Sequence, residues 1–267
     1  MRHNPFNWLL LFFSSLVLLF IVAPLAGLFL HTSAPEFFET ARDREVQQSI
    51  WLTLWVSFAA TFFSAIGAVP LAWLMARKQF PLKKVVQGVI DLPIVLPHTA
   101  AGIAILGFIS RDGALGRAAD SFGLSLVNNP AGIALAMAFV SLPFFINSAR
   151  DGFAAVPEKL EKAALNLGAG RARVFFTISV PLARQSIMTG FVMMFARGMS
   201  EFGAVVIVAY HPMIAPVLIF ERFSSYGLNY SRPASVLFIL VALIVMILLR
   251  ILPGRRKVTQ IQEDAEA

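Results

Sequence analysis

Six apolar segments, each long enough to cross a lipid bilayer, restrict this chain to a membrane fold. They cover residues 8–30, 51–76, 85–109, 131–148, 186–210 and 234–252. A transmembrane helix needs about 20 mainly apolar residues, and all six segments approach or exceed that length. The chain is therefore predicted to be an all-α polytopic membrane protein with about six transmembrane helices.

The composition agrees with a membrane protein. The chain is 58% hydrophobic and only 14% charged, whereas soluble domains carry about 25% charged residues. Its 267 residues do not suggest a second, soluble domain beside the six segments. Because there is no cysteine, disulfides, thiolate metal sites and cysteine nucleophiles are excluded.

The first segment, residues 8–30, could also be read as a signal peptide. Its apolar run is much longer than the roughly 7–15 residues of a signal-peptide core, and no clear small-x-small cleavage site follows. We therefore expect an uncleaved membrane anchor.

The basic residues fall unevenly between the two sides of the membrane. If the segments alternate in direction, fifteen of the 22 Lys and Arg residues share a side with the termini. Arg197 lies within the fifth segment, and six lie on the other side: Arg42, Arg44, Arg111, Arg117, Arg222 and Arg232. Because cytoplasmic loops carry the excess of Lys and Arg, both termini and the loop around Glu161 are predicted to be cytoplasmic. The net charge of +7 then faces anionic lipid headgroups, and nucleic-acid binding is not expected.

Residues 157–167 have the pattern of a short amphipathic helix. Pro157 suits the first helical position, and Glu158 and Glu161 fall in the first turn, where the helix dipole favours anions. Gly168 follows as a terminator. A helix of about eleven residues is marginal alone in water, so we expect it to need a partner surface. The apolar stripe that would face this partner comprises Leu160, Ala163, Ala164 and Leu167.

This helix and the residues after it resemble the cytoplasmic EAA loop of ABC-type importer permeases. That pattern is E-A-A, three residues, G, nine residues, I-x-L-P. With Lys162-Ala163-Ala164 as the triplet, the spacing to Gly168 and Ile178 is intact, although Lys162 stands at the Glu position, one residue after Glu161, and Val180 replaces Leu. In the family, this loop binds an ATP-hydrolysing partner. The resemblance implies a coupling loop over 150–184, with contacts at Glu161, Lys162, Ala163, Ala164, Gly168, Ile178 and Pro181.

The chain has no Walker A signature, G-x-x-x-x-G-K-[ST], so it is not predicted to be an enzyme that cradles ATP by that route. We expect no cofactor on this chain and ATP on a cytoplasmic ABC ATPase dimer. The resemblance implies alternating access, in which ATP closes the ATPase dimer and two coupling helices move the spans. One chain supplies one such helix, which predicts a homodimer with the pore between the two copies.

Three further segments resemble the molybdate/tungstate permeases, which are related to the sulfate permeases. They are residues 91–102 (DLPIVLPHTAAG), 196–204 (ARGMSEFGA) and 210–216 (YHPMIAP) with Glu221-Arg222. The resemblance runs from about residue 49 to residue 250 and implies a type I ABC importer permease fold. The implied substrate is molybdate or tungstate, with sulfate, thiosulfate or another small anion as the alternative. Much of the selectivity is expected to reside in an extracytoplasmic solute-binding protein.

Two prolines disturb the third apolar segment. Pro93 and Pro97 each remove a backbone donor, and a broken helix at membrane depth is tolerated only against protein or a water-filled cavity. His98, Thr99 and Gly102 are therefore candidates for the translocation path. A kinked packing helix, with His98 satisfied by a neighbour, is the alternative.

Arg197 and Glu201 lie four residues apart in the fifth segment. A charge near the bilayer centre costs about 2.5–3.5 kcal/mol on insertion scales, and such residues usually pair. The spacing predicts an Arg197–Glu201 pair that shapes a gate or the subunit interface. A direct contact between Arg197 and the oxyanion is the alternative, although Glu201 would repel a dianion.

The expected organisation has three regions. Residues 1–48 form the N-terminal tip, first helix and external loop, residues 49–250 form the permease core, and residues 251–267 form a cytoplasmic tail. The external segment 36–45, of mixed charge, and the prolines Pro212 and Pro216 are candidates for contact with the binding protein.

Two other classes of membrane protein fit less well. A membrane enzyme would need clustered nucleophiles, acids or ligands, but the histidines are scattered, at His3, His31, His98 and His211. A channel or secondary transporter would gain support from inverted repeats, and none is visible.

Overall fold

The computed structural model describes residues 5–251, and this part of the chain is built from helices. The α-helices are α1 (Pro5–Leu30), α2 (Ala34–Arg42), α3 (Arg44–Arg77), α4 (Lys83–Val95), α5 (His98–Ile109), α6 (Ala114–Asp120), α7 (Pro130–Ala155), α8 (Glu158–Asn166), α9 (Arg171–Val174), α10 (Val180–Met199), α11 (Gly203–Val208), α12 (Ala215–Tyr226) and α13 (Leu228–Ile251). A π-helical turn, Phe175–Ser179, joins α9 to α10. The predicted all-α class is confirmed.

Five of the described helical stretches are long and apolar enough to cross a membrane: α1, α3, α7, the stretch Arg171–Met199 that ends in α10, and α13. A sixth candidate is the pair α4 and α5, which is bent by 112° at the break between them. Leu96 and Pro97 form this break in extended backbone. Proline at position 97 cannot donate a helical hydrogen bond, which explains why the helix stops there.

Contacts at the two ends of the bundle show that the bent pair crosses it as a unit. At one end, the Arg77 guanidinium, which ends α3, donates to the carbonyl of Val156, directly after α7. At the other end, Ile109, which ends α5, lies against Gly132 in the first turn of α7. Because α3 and α7 end on the same side, α4 and α5 must together traverse the bundle. We call the side with Arg77 and Val156 the α8 end.

The core is centred on α7, which packs against α3 and α10. Its residues Met137, Phe145 and Phe153 are fully buried. Close approach depends on small residues: a Cβ added at Gly152 would lie 2.2 Å from the Cβ of Ser186 on α10. Such contacts are the usual means by which membrane helices associate, because lipid supplies no hydrophobic force between them.

A second close contact joins α5 to α11. A Cβ at Gly102 would lie 2.8 Å from the carbonyl oxygen of Ala204, and a Cβ at Gly203 would lie 2.6 Å from the Cβ of His98. The two short helices therefore meet at nearly backbone distance. This contact places His98, at the start of α5, beside the break between α10 and α11.

The fifth predicted segment, residues 186–210, is wrong as a single helix. The helix ends at Met199, and α11 follows as a separate element packed against α5. Apolar composition could not reveal this break, because α11 consists of apolar and small residues on both faces. The other predicted segments correspond to described helices, with α3, α7 and α13 extending several residues further; Leu252 lies outside the described residues.

The first helix lies apart from this core. None of its most apolar window is buried, and its large side chains from Trp8 to Val22 are exposed. Arg232 of α13 donates to the carbonyl of His31, just after α1. The exposed apolar surface of α1 requires a cover of lipid or of another chain.

Candidate functional site

The short helix α8 is fixed to the bundle through one buried carboxylate. As a whole residue, Glu161 is 8% exposed. The Arg77 Nε lies 3.1 and 3.2 Å from its two oxygens, and the Arg77 Nη2 lies 3.0 Å from Oε1. The Ser179 hydroxyl also donates to Oε1, at 2.8 Å. Forked arginine–carboxylate pairs are among the stronger protein hydrogen bonds, so α8 is tied to α3 and to the start of α10.

The apolar side chains of α8 are open. Leu160 and Leu165 are 43% and 41% exposed, and Leu167 is 89% exposed. Ala163 is exposed and Ala164 is half-buried, so the predicted stripe is not covered within this chain. An apolar surface on a helix of nine residues, held in place by a buried ion pair, is suited to binding a partner protein.

The ends of α8 differ slightly from the prediction. The helix begins at Glu158, one residue later than predicted. Pro157 is therefore the N-cap residue, in extended backbone, and not the first helical residue. Gly168 follows the helix with a φ of +87°, which L side chains rarely adopt. Its position as a terminator is confirmed, and the chain turns there without crowding, since nothing lies within 4 Å of a Cβ added at this glycine.

Lys162 and Glu161 point in different directions on α8. The Lys162 ammonium lies 3.0 Å from Glu158, and both side chains are exposed. The hydrogen bond and charge of Lys162 hold the pKa of Glu158 below its usual range. Lys162 therefore does not substitute for the buried Glu161. Farther along, Ile178 is half-buried in the π-helical turn, and Pro181 is exposed in the first turn of α10.

The sequence did not reveal the partners of Glu161. Arg77 is 84 residues away, and Ser179 is 18 residues away. The available signal was topological: the second and fourth segments were predicted to end on the same side, which brings Arg77 towards the acidic first turn of the amphipathic helix.

A second polar cluster forms where the two broken helices meet. Glu201 is 1% exposed and lies between α10 and α11. Its Oε2 is 2.9 Å from the Arg197 Nη1 and 3.0 Å from the His98 Nδ1, while its Oε1 accepts from the Ala204 amide at 2.9 Å. The predicted Arg197–Glu201 pair is present, and His98 and the backbone of α11 are further partners.

The His98 ring contacts both charged side chains. The Arg197 Nη2 lies 3.0 Å from the His98 Nδ1 and 2.9 Å from its Nε2. The Glu201 Oε1 lies 3.1 Å from the same Nδ1. In this arrangement, every member of the cluster has a partner. The cluster links the start of α5 to the end of α10.

The remaining predicted path residues surround this cluster. Pro93 is buried in the last turn of α4, and Pro97 is the N-cap residue of α5. Thr99 is exposed, while Gly102 is buried against α11. The side chain of His98 is 47% exposed and that of Arg197 is 25% exposed, so the basic members of the cluster reach an open surface.

That surface includes a groove of about 650 Å³ between α10 and α13. Arg197 and Ser200 lie in its lining, together with Gln185 and Thr189 from earlier turns of α10 and Arg250 from α13. Apolar side chains complete the lining: Phe144, Met188, Val192, Met193, Ala196, Met246 and Leu249. A polar row along a membrane helix is costly against lipid, so this face favours a water-filled path or a protein neighbour.

The end opposite α8 carries a third cluster. Arg222 on α12 is 6% exposed and donates to Asp43 and Glu45 at the start of α3, and its guanidinium lies 5.3 Å from the Tyr230 ring centre. Partial burial acts to raise the pKa of Asp43. The hydrogen bonds from Arg222 and the Glu45 amide outweigh that effect and hold the pKa below its usual range. Two acids of the external segment 36–45 are thus engaged within the chain.

Comparison with known proteins gives this geometry a family context. The profile of the family described as "Binding-protein-dependent transport system inner membrane component" matches residues 68–257, which include α8, Glu161 and the Arg197–Glu201 cluster. The chain belongs to this family. Its predicted membership of the importer permeases is confirmed.

Two relatives of this chain are named molybdate/tungstate transport system permease proteins. The one from Thermococcus kodakarensis is 40% identical over 96% of this chain and 99% of its own length. The one from Pyrococcus abyssi is 44% identical over 82% of this chain and 83% of its own length. A sulfate transport system permease protein from Synechocystis is 30% identical over 90% of this chain and 87% of its own length.

Solved structures support the fold. A bacterial ABC transporter that imports the polysaccharide alginate contains a chain with a TM-score of 0.72, at 16% identity, covering 92% of this chain and 95% of that one. The MetNI methionine ABC transporter contains a chain with a TM-score of 0.61, at 14% identity, covering 82% and 95%. The predicted importer permease fold is therefore confirmed.

Proposed function

We propose that this chain is the permease subunit of an ATP-driven importer of molybdate or tungstate, and that it works by alternating access. The observation that carries this proposal is α8, a helix with exposed apolar side chains that is bound to two spans through the buried Glu161. A force applied to the open face reaches α3 and α10 directly.

The proposed ATP-hydrolysing partner is a cytoplasmic ABC ATPase dimer. No Walker A pattern occurs in the sequence, so nucleotide chemistry by that route belongs to another subunit. Coupling residues are Glu161, Lys162, Ala163, Ala164, Gly168, Ile178 and Pro181. Glu161 acts from behind the contact face by positioning the helix, whereas Ala163, Ala164 and Lys162 lie where a partner can touch them.

The proposed assembly is a homodimer with the pore between its two copies. This proposal explains the row of Gln185, Thr189 and Ser200 along α10, because a second copy would replace lipid opposite these polar side chains. It also provides the second α8 that a dimeric ATPase requires.

The proposed gate is the cluster of His98, Arg197 and Glu201. It joins two helix breaks, and Pro93, Pro97, Thr99 and Gly102 shape the first of them. Glu201 neutralises Arg197 in this arrangement, so the oxyanion meets polar hydrogen-bonding groups without a fixed net charge that would trap it. A permease must release its substrate, and paired charges at the gate would let the anion pass without binding it tightly.

The substrate and the orientation rest on different observations. Molybdate or tungstate is proposed because two relatives with that named function align over most of this chain at 40% and 44% identity. The excess of Lys and Arg at the α8 end supports cytoplasmic termini. The solute-binding protein then docks on the opposite side. The alginate ABC transporter, whose chain has a similar fold, has been solved in complex with a periplasmic protein.

Uptake of labelled molybdate tests the proposal. Cells would express this chain with its cognate ATPase and binding protein, with unlabelled tungstate and sulfate as competitors. We expect tungstate to compete at trace concentration and sulfate only in large excess. Equal competition by sulfate, or assembly without molybdate entry, would show that the substrate is a different anion, while ATP-independent uptake would contradict the importer proposal itself.

A further inference from the structure

A cavity at the α8 end lies outside the coupling and gate sites. It has a volume of about 560 Å³ and lies between the end of α3, the start of α4 and the end of α7. Its polar lining consists of Gln79, Lys83, Lys84, Gln87 and Arg150. Its apolar lining consists of Met75, Ala76, Phe80, Pro81 and Ala154. Three cations and no acid therefore line one cavity.

The two lysines have unused charge. Within residues 5–251, no carboxylate lies within 4.0 Å of the Lys83 or Lys84 ammonium. Lys83 is half-buried and Lys84 is exposed. Arg150 differs, because Asp151 neutralises it at 2.8 Å and Gln87 accepts its Nη1 at 2.6 Å. The net positive charge of the cavity comes from the lysine pair.

The wall beside the lysines is rigid. Gln87 donates to Asp91 at 2.7 Å and to Asn147 at 2.9 Å, and Asn147 donates to Asp91 at 2.7 Å. These bonds tie α4 to α7 and fix the Gln87 carbonyl that holds Arg150. Gln87 and Arg150 in the cavity wall thus already have partners, whereas Lys83 and Lys84 have no carboxylate partner among the described residues.

The surroundings place the cavity at the membrane surface. Leu82, Val85 and Val89 are 62%, 59% and 64% exposed, within two turns of the lysines. Exposed apolar side chains at the start of a membrane span face hydrocarbon, and the adjacent lysines mark the headgroup level. Basic pockets between membrane helices at this level suit lipid headgroups.

We infer that this cavity binds the phosphate group of an anionic lipid through Lys83 and Lys84. The lysines contact the phosphate, and the apolar part of the lipid lies against Phe80 and Pro81 of the cavity lining. The volume exceeds what one tetrahedral anion needs and lies in the range of ligand-sized pockets. A free phosphate from solution has the same chemistry at the lysines but would leave this apolar lining unused.

Native mass spectrometry of the purified full-length chain tests this site. The probes are phosphatidylglycerol, phosphatidylcholine and inorganic phosphate at equal concentration. We expect retention of phosphatidylglycerol over phosphatidylcholine. Lys83→Gln with Lys84→Gln should reduce that retention roughly twenty-five-fold, since each lysine near an anionic surface contributes about fivefold.

Two variants make the result specific. Lys78→Gln with Lys159→Gln removes the same charge from exposed positions at the same end, outside the cavity lining, and should retain the lipid. Ala154→Phe keeps all charges but fills the cavity, and should lose the lipid. Size-exclusion profiles and helical circular dichroism check that each variant is folded.

The results with the different probes and variants distinguish the possible occupants of the cavity. Binding of inorganic phosphate that depends on the two lysines, with no lipid preference, assigns the phosphate site to a free anion. Equal losses in both double variants would overturn the site in favour of a diffuse surface charge. No lipid or phosphate binding, with weakened ATPase binding in the cavity variants, would overturn it in favour of a protein contact. None of these outcomes depends on molybdate uptake, which is measured separately.

Discussion

The Arg77 guanidinium and the Glu161 carboxylate lie 3.0 Å apart and connect two elements that are distant in sequence. Arg77 is the last residue of α3, and Glu161 is in the first turn of α8. Both side chains are close to fully buried, at 7% and 11% exposure. The pair makes α8 an extension of a 34-residue span, so a displacement of α8 cannot leave α3 in place.

Glu161→Gln should uncouple the permease from its ATPase. The substitution keeps the shape of the side chain but removes its charge, and hydrogen bonds to charged groups contribute about 1.5–3 kcal/mol. We expect uptake to fall about tenfold or more while the ATPase still binds, measured by labelled molybdate uptake and by co-purification.

Glu158→Gln is the matched control for that experiment. It removes the same charge from the same helix, but Glu158 is exposed and pairs only with Lys162 among the described residues. Surface pairs of this kind contribute about 0–1 kcal/mol, so uptake should remain near normal. Equal defects in the two variants would contradict a role for the buried pair.

Gly168 should tolerate asparagine better than valine. Its φ of +87° is strained for L residues, least for Asn and most for a β-branched side chain, and there is open space around it. We expect Gly168→Val to weaken ATPase co-purification more than Gly168→Asn, with both variants inserted normally. If the two variants recruit the ATPase equally well, backbone geometry at this turn does not matter to coupling.

The spans could be predicted where lipid sets their limits. Helix α1 is exposed along its most apolar part, so its apolar segment ends close to where the helix ends. The prediction of one helix over residues 186–210 was wrong because Val205 and Val208 do not face lipid. They are apolar because they are buried in α11, which packs against α5. Mean hydropathy does not distinguish a membrane helix that continues from one that breaks and packs on its neighbours.

The sites could be predicted in part. The Arg197–Glu201 pair follows from local helical spacing, which a sequence displays directly. The partners Arg77 for Glu161 and His98 for Glu201 lie 84 and 103 residues away, and only the packing of the spans brings them together. An amphipathic stripe predicts an exposed contact face on α8, but it does not reveal what the other face binds.

A charge swap between Arg197 and Glu201 should fail to restore transport. Glu201 also accepts from the Ala204 amide and from His98, and it is 1% exposed. An arginine at 201 would face these donors and could accept from neither. Removing one partner of a buried pair costs roughly 3–5 kcal/mol, so both single variants and the double variant should lose uptake.

Glu201→Gln provides the sharper test of the gate. It retains an acceptor for the Ala204 amide but leaves Arg197 without a counter-charge. We expect assembly with the ATPase to persist, since Glu201 is remote from α8, and uptake to fall. Normal uptake by this variant would exclude the ion pair from gating.

Gly102→Ala should disrupt the contact between α5 and α11. The added Cβ would lie 2.8 and 2.9 Å from backbone atoms of Ala204, which cannot move away as a flexible side chain can. Overpacking of this kind costs typically about 1–3 kcal/mol. Gly107→Ala is the control on the same helix, because nothing lies within 4 Å of its Cβ. We expect a lower melting temperature for the first variant alone, and equal melting would contradict the close packing.

Acidification should loosen the cluster opposite the α8 end through Asp43. The hydrogen bonds from Arg222 and the Glu45 amide outweigh burial and lower the pKa of Asp43 in the folded chain. A carboxyl with a lowered folded-state pKa stabilises the fold above its unfolded pKa of about 3.9, and this stabilisation is lost as the pH falls through the folded value. Asp43→Asn should therefore lower the melting temperature at pH 7. Between about pH 5 and about pH 3, the melting temperature of this variant should fall less steeply than that of the unmodified chain. Glu39→Gln, which alters an exposed acid on α2, should follow the unmodified chain. If Asp43→Asn instead melts in parallel with the unmodified chain across this range, Asp43 protonation does not control the stability of the cluster.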